Sequence, residues 1–235
     1  MAIQKSTFIS GKLGNIIFYQ RDGKFFARAA PDKVKQTTAT KTRSRNFGIA
    51  SSAGKTLRKL LMPSLPFPKN KNMQSRFSGA IAKWLRLNNV KDLKAATRLP
   101  FLTNFSFNEK TGIIERWKVS ITVTQPAANR IEIRIPAYSP AKKIAAPAYT
   151  TSVICTITAA ACRLKDGVAL GSFTETINIP YNNDLVNARV LSKPVPTNKG
   201  ALLIVAASFT YILSGRKINS NIAFMPSSVI DARYC

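Results

Sequence analysis

Apolar positions along this chain follow two periods, and the period changes near residue 100. In residues 44–61, Phe47, Ala50, Ala53, Leu57, Leu60 and Leu61 recur at helical spacing. This predicts a helix with Ser44 at its N-cap and Pro63 ending it. A second helix is predicted over 73–87, where Phe77, Ala80, Ile81, Trp84 and Leu85 form an i, i+3, i+4, i+7, i+8 stripe. Arg76, Lys83 and Arg86 fall off that stripe. A short third helix is expected over Asp92–Arg98, with Asp92 favourable near the positive end of the helix dipole. Pro100 closes the region.

From Phe101 onward the period is two. Trp117–Thr124, Arg130–Ile135, Thr151–Thr158 and Phe173–Ile179 alternate, and Ala188–Leu191 is a short candidate. Leu202–Leu213 is long and apolar, and Ile218–Phe224 is the last candidate strand. About seven strands between Pro, Gly and Asn turns predict an antiparallel, immunoglobulin-like β-sandwich. Ahead of the helices, Ile16–Gln20 and Lys24–Arg28 flank Arg21-Asp22-Gly23. Asp and Gly both tolerate positive φ, so this reads as a β-hairpin. Gly11 and Gly14 predict a tight turn before it. Residues 31–44 are polar, basic and aperiodic, which predicts an extended arm. Residues 62–72 carry three prolines and read as a stiff turn. The fold class expected is α+β: a basic N-terminal hairpin plus two or three helices in residues 1–100, then the β-sandwich in residues 101–235.

Composition fits a globular chain long enough to bury a core, with 45% hydrophobic and 20% charged residues. Charge changes the picture. The net charge is +26 and there is no histidine. Residues 1–120 carry 24 Lys and Arg against 5 Asp and Glu, whereas residues 121–235 carry 12 against 5. A solvated chain this basic seeks polyanions: nucleic acid, an anionic membrane surface or an acidic protein. Lys33, Lys35, Lys41, Arg43, Arg45, Lys55, Arg58, Lys59, Arg76, Lys83 and Arg86 are the candidate polyanion-binding residues, continued in sequence by Lys69 and Lys71. Arm residues can track phosphates, and helix-face residues can hold position against a nucleic-acid backbone. The plain alternative is a solvated face, although the N-terminal excess is more than solubility requires. Tyr19, Phe25 and Phe26 are expected to pack onto the helices, with stacking on bases as the alternative. No helix-turn-helix, zinc-finger or RNP-type motif supports base readout.

Chemistry of other kinds is thinly represented. Without histidine there is no Ser-His-Asp or Cys-His arrangement and no His-based metal site. The ten acidic residues are scattered without paired spacing. Gly48 to Thr56 resembles a phosphate-binding loop, but five residues separate Gly48 from Gly54-Lys55-Thr56 where four are needed. The string also lies inside a helical pattern instead of after a buried strand. Gly54 is expected as a helix-packing residue or a weak point in the helix. No catalytic, cofactor or metal residue and no small-molecule substrate is assigned, and the expectation is a non-enzymatic protein. Cys155 and Cys162, an odd number of residues apart in one strand, should face opposite ways as small core hydrophobes. Three cysteines do not make a disulfide framework, and Cys235 is a candidate free thiol. The first fifteen residues lack a secretory apolar run and cleavage site. The longest apolar run, Ala201–Ser208, is too short to span a bilayer. A cytoplasmic location is the default expectation, with export by a route without an N-terminal signal as the alternative.

Gly11-x-x-Gly14-Asn15, an apolar strand with Tyr19, Gly23-Lys24, Arg28, Pro31, Thr-rich residues and Arg45-x-Phe47 follow in order over roughly residues 10–62. This segment resembles a family of uncharacterised Bacteroidota proteins that join such a module to a β-rich C-terminal region. Asp32-Lys33-Val34-Lys35 departs from the family's usual Asn-Pro-Arg/Lys-Thr type of sequence. The resemblance implies a two-part fold and a bacterial source, and brings no activity or site residues. Two functions are therefore expected. The first is sequence-nonspecific binding of nucleic acid or another polyanion. Its rival is a structural, self-assembling subunit, a homo-oligomer joined by the arm and edge strands. An anionic-membrane role ranks third, because neither helix pairs a strong apolar face with a dense basic one.

Overall fold

Asp22 and Gly23 both take positive φ, 50° and 75°, and fold the chain back between two paired strands. The predicted hairpin is therefore present, with a turn whose twist suits a two-residue connection. It belongs to a larger sheet. The computed structural model describes residues 3–5, 8–31, 36–65, 71–88, 97–127, 129–214, 216–217 and 222–235. The chain divides into two units, Met1–Thr42 and Arg43–Cys235.

In the first unit, β1 (Ile3–Lys5), β2 (Phe8–Leu13), β3 (Ile16–Arg21) and β4 (Lys24–Ala29) form an antiparallel meander in sequence order. Gly14 lies in the turn between β2 and β3. Gly11 does not: it sits within β2, opposite Phe18. Tyr19, Phe25 and Phe26 are 39%, 47% and 42% exposed. The register divides them between the two faces of the sheet, Tyr19 and Phe26 on one and Phe25 on the other.

Helix α1 (Thr38–Leu60) starts six residues before the predicted Ser44 cap. Thr37 supplies the cap instead, its Oγ1 accepting a hydrogen bond from the Thr40 amide at 3.2 Å. The expected arm is shortened accordingly, since nothing in its polar sequence after Thr37 forbids helix. Ala50, Ala53, Gly54 and Leu57 form the buried row of α1. Phe47, expected in that row, is 64% exposed. It lies to one side of the row and ahead of the point where the core begins. Helix α1 gives way to a 3-10 turn at Met62–Ser64, which contains Pro63. Helix α2 (Lys71–Leu87) buries Met73, Phe77, Ile81, Trp84 and Leu85, close to the predicted stripe. Most of the expected third helix lies outside the described residues. Its last two residues, Thr97–Arg98, are not helical but form β5, paired with Tyr234 and Arg233.

The remaining strands are antiparallel. They are β6 (Thr122–Ala127), β7 (Arg130–Ile135), β8 (Thr150–Arg163), β9 (Ala169–Pro180), β10 (Arg189–Pro194), β11 (Ala201–Leu213), β12 (Arg216–Lys217) and β13 (Ser227–Tyr234). A six-stranded sheet runs β5-β13-β11-β8-β9, with β12 also on β11, and a three-stranded sheet runs β10-β7-β6. Two predicted strands are corrected. Strand β6 begins only at Thr122, because Ile113–Arg116 is a helical turn and Trp117 is anchored in the core 5.1 Å from Phe209. At the C-terminal end, Ile222–Phe224 is a 3-10 turn, and 218–221 lie outside the described residues. The last strand is instead Ser227–Tyr234, which is buried nearly throughout between β5 and β11. Covered on both faces, it shows no alternation to read.

Two cores meet at the six-stranded sheet. One holds Ile131, Ile133 and Leu191 of the smaller sheet with Val153, Cys155, Ile177 and Phe209 of the larger. The other holds the buried rows of α1 and α2 with Leu99, Leu102, Cys162, Leu202, Ile204 and Val229. Residues 43–100 thus share a core with strands from the C-terminal half. Cys155 and Cys162 occupy different cores, as their spacing predicts. Gly54 packs against α2, where an added Cβ would stand 2.7 Å from Ser78 Oγ.

Candidate polyanion-binding surface

No carboxylate occurs between Asp32 and Asp92, a stretch that holds 14 lysines and arginines. Both long helices fall within it. Neither helix therefore has an acidic residue of its own to neutralise a basic one through an i, i+4 pair.

On α1, burial of Ala50, Ala53 and Leu57 fixes which side meets solvent. Arg45, Gly48, Ser52, Lys55 and Lys59 recur at i, i+3, i+7, i+10 and i+14, and all are exposed. They lie opposite the buried row. At 1.5 Å per residue, Arg45 and Lys59 stand about 21 Å apart along the axis. Arg45, Lys55 and Lys59 make no ion pair among the described residues. Lys59 also lies in the last turn, where the helix dipole favours a cation. Arg43 is exposed but belongs to another side of the helix: seven residues before Ala50, it shares the azimuth of the buried row. Lys41 is exposed in the part of α1 that belongs to the first unit.

Two predicted cations are occupied within the fold. Arg58 is half-buried, and its Nη1 donates to Ser78 Oγ at 2.9 Å, joining α1 to α2. Burial lowers its pKa from the ordinary guanidinium value. Arg76 pairs with Glu109, Nε to Oε1 at 2.6 Å, and also donates to the Ser106 carbonyl through Nη1 and Nη2. Its guanidinium lies 5.1 Å from the centre of the Phe105 ring. Lys83 is exposed with its ammonium 4.3 Å from the centre of the Phe101 ring, and Arg86 is exposed in the last turn of α2. Lys33, Lys35 and Lys69 lie outside the described residues; Lys71 is exposed at the start of α2.

The fold brings to α1 a charged turn that sequence order hides. Thr56 Oγ1 donates to the Gly167 carbonyl at 2.6 Å, seating the β8–β9 turn on α1. Exposed Lys165 lies two residues from that contact and exposed Asp166 one residue from it, with Asp166 Oδ2 paired to Arg163 Nη2 at 2.8 Å. The same contact disposes of the phosphate-loop resemblance: Gly54 is buried, Thr56 is occupied, and the string lies within one continuous helix. Among the described residues, no group of three His, Cys, Asp or Glu side chains is placed to hold a metal ion. No helix among them is long and apolar enough to cross a membrane.

No protein-family model matches the chain, and no curated protein matches it. Similar solved structures include a crystal structure of a protein from Archaeoglobus fulgidus, at 10% identity and a TM-score of 0.25. It covers 49% of this chain and 93% of that one. A solution structure of an Arabidopsis thaliana protein, at 12% identity and a TM-score of 0.23, covers 60% and 83%.

Proposed function

We propose that this protein is a non-enzymatic binder of polyanions, nucleic acid foremost, that grips phosphates without reading sequence. One observation carries the reading: the exposed row Arg45, Lys55 and Lys59 lies in a stretch free of carboxylates from Asp32 to Asp92. Arg43, Lys83 and Arg86 are exposed cations of the same two helices and would add contacts. Arg58 and Arg76 are left to the fold. Phosphate contacts of this kind release counterions, so the logarithm of affinity should fall linearly with the logarithm of salt concentration.

The test is binding of nuclease-treated protein to a labelled oligonucleotide across a salt series. Wild type is expected to bind at low salt, and each lost phosphate contact should lower the slope by about 0.7–0.9. Reversing Arg45, Lys55 and Lys59 to glutamate together should cost affinity for every sequence alike. Unchanged affinity in that variant would overturn the assignment of the surface.

A second reading is a structural subunit that assembles with copies of itself. The observation favouring it is the apolar surface of the first unit, where Leu13, Ile16 and Phe25 are 58%, 46% and 47% exposed. Light scattering that found large particles free of nucleic acid would move the balance to it. On the fold, we read the two C-terminal sheets as layers of an immunoglobulin-like β-sandwich. The core shared by Ile131 and Ile133 with Val153 and Phe209 supports this.

A further inference from the structure

We infer that one face of the N-terminal four-stranded sheet is a stacking platform for single-stranded nucleic acid. The inference rests on the nucleic-acid reading above and adds a second, chemically different surface to it.

The register sorts the side chains. Lys12 pairs with Ile17 and Ile17 with Arg28; Tyr19 pairs with Phe26; Arg21 pairs with Lys24. Residues directly opposite across an antiparallel ladder share a face. These residues occupy alternate positions on each strand, so the three rows lie side by side on one face. The aromatic row is in the middle, with a basic row on either side. Tyr19 and Phe26 are stacked, with ring centres 5.5 Å apart and planes at 21°. The Arg28 guanidinium lies 5.7 Å from the centre of the Tyr19 ring. Both rings are partly exposed, at 39% and 42%. The acid described in this unit is Asp22, in the turn, 3.5 Å from Arg21, and both of those side chains are almost fully solvated. The opposite face differs in kind: Leu13, Ile16, Phe18, Phe25, Ala27 and Ala29 are there, and none carries a charge.

A purely apolar contact would have no use for Lys12, Arg28, Arg21 and Lys24 beside the rings. A duplex offers its phosphates but keeps its base faces stacked. A single strand offers both, and aromatic rings flanked by cations suit it: bases stack on the rings while phosphates lie against the basic rows. Arg28, already over a ring, can add a cation–π contact. Such stacking tolerates any base, in keeping with the lack of a readout motif.

The experiment uses the full chain and three labelled probes of equal length: oligothymidylate, oligouridylate and a DNA duplex. Tyr19→Ala and Phe26→Ala should each weaken binding of both single strands by about 5- to 100-fold, as loss of one stacked base does. Duplex binding and the salt slope should stay as in wild type. Phe25→Ala truncates a ring of the same hairpin on the other face and should leave all three affinities unchanged. The inference is overturned if the Tyr19 and Phe26 variants bind single strands like wild type. It is equally overturned if Phe25→Ala loses as much as they do, because the sheet's integrity and not its face would then be responsible. Failure of the parent reading has a separate signature: wild type would bind none of the three probes at low salt. If the Arg45, Lys55 and Lys59 reversal abolishes binding while the aromatic variants bind normally, the parent reading stands and the platform falls.

Discussion

Arg76 Nε lies 2.6 Å from Glu109 Oε1, tying α2 to the turn that follows β5. Sequence position alone would place Arg76 with the free cations. Its partners make it a structural residue instead. Both side chains are partly solvated, so the ion pair itself contributes only about 0.2–1 kcal/mol. The hydrogen bonds to the Ser106 carbonyl and the contact with Phe105 add to that. Arg76→Ala should lower stability by about 1–2 kcal/mol in urea denaturation. It should leave oligonucleotide affinity and its salt slope unchanged, whereas Lys59→Ala should do the reverse.

Asp231 and Arg233 form a far more buried pair, 7% and 11% exposed, with Arg233 Nε 2.6 Å from Asp231 Oδ2. Arg233 Nη2 also donates to the Val123 carbonyl, joining β13 to β6. Burial raises the Asp231 carboxyl above its ordinary value despite Arg233 and Arg98 nearby. Arg233→Ala would strand that carboxylate and should cost about 3–5 kcal/mol. Removing both charges together should cost less than Arg233→Ala alone, and a double-mutant cycle on denaturation midpoints measures the difference.

Gly54 leaves room for Ser78 and Arg58, whose Oγ and Nη1 would lie 2.7 Å and 3.3 Å from an added Cβ. Gly54→Leu should force α1 and α2 apart and cost about 1–3 kcal/mol. Ser78→Ala clears the nearer of the two atoms. Combined with it, Gly54→Ala should recover stability, because alanine gains about 1 kcal/mol of helix propensity over glycine. Thermal melts of the two variants decide the matter.

Burial raises the Cys162 thiol from 9.0 to about 12 and the Tyr138 hydroxyl from 10.0 to about 12. Cys155, wholly buried, is raised further. In each case the native chain keeps its proton at a pH where the unfolded chain gives it up. The stability these groups contribute is therefore complete below pH of about 9 and lost as pH rises toward 12. Urea midpoints should decline across that window. Cys162→Ala should flatten the decline, and Tyr138→Phe should flatten its upper part. At pH of about 8, native Cys155 and Cys162 should resist a thiol reagent that reacts with all three cysteines once the chain is unfolded.

Several parts of the fold were legible because their causes are local. The stripe from Phe77 to Leu85 is a property of helical period. The start of α1 was missed because its first residues are polar and exposed. The cap at Thr37 was a usable signal, but a Thr-rich stretch offers several such caps. Strand β13 was hidden for the opposite reason: Ser227–Tyr234 is buried on both faces and lacks alternation. Of the candidate surface, the residues were readable but not their availability. The carboxylate-free run from Asp32 to Asp92 is visible in the sequence as it stands.

The sequence by itself determined the Asp22–Gly23 turn, the opposed faces of Cys155 and Cys162, and the basic excess of the N-terminal half. Each follows from backbone φ, strand period or composition, which need no distant partner. Tertiary structure alone decided that Arg58 and Arg76 are engaged while Arg45, Lys55 and Lys59 make no ion pair among the described residues. It also decided that Thr56 meets Gly167 and that β13 lies between β5 and β11. Those outcomes depend on hydrogen bonds, ion pairs and burial between residues from about 20 to more than 100 positions apart. Spacing along the chain carries no record of such partners.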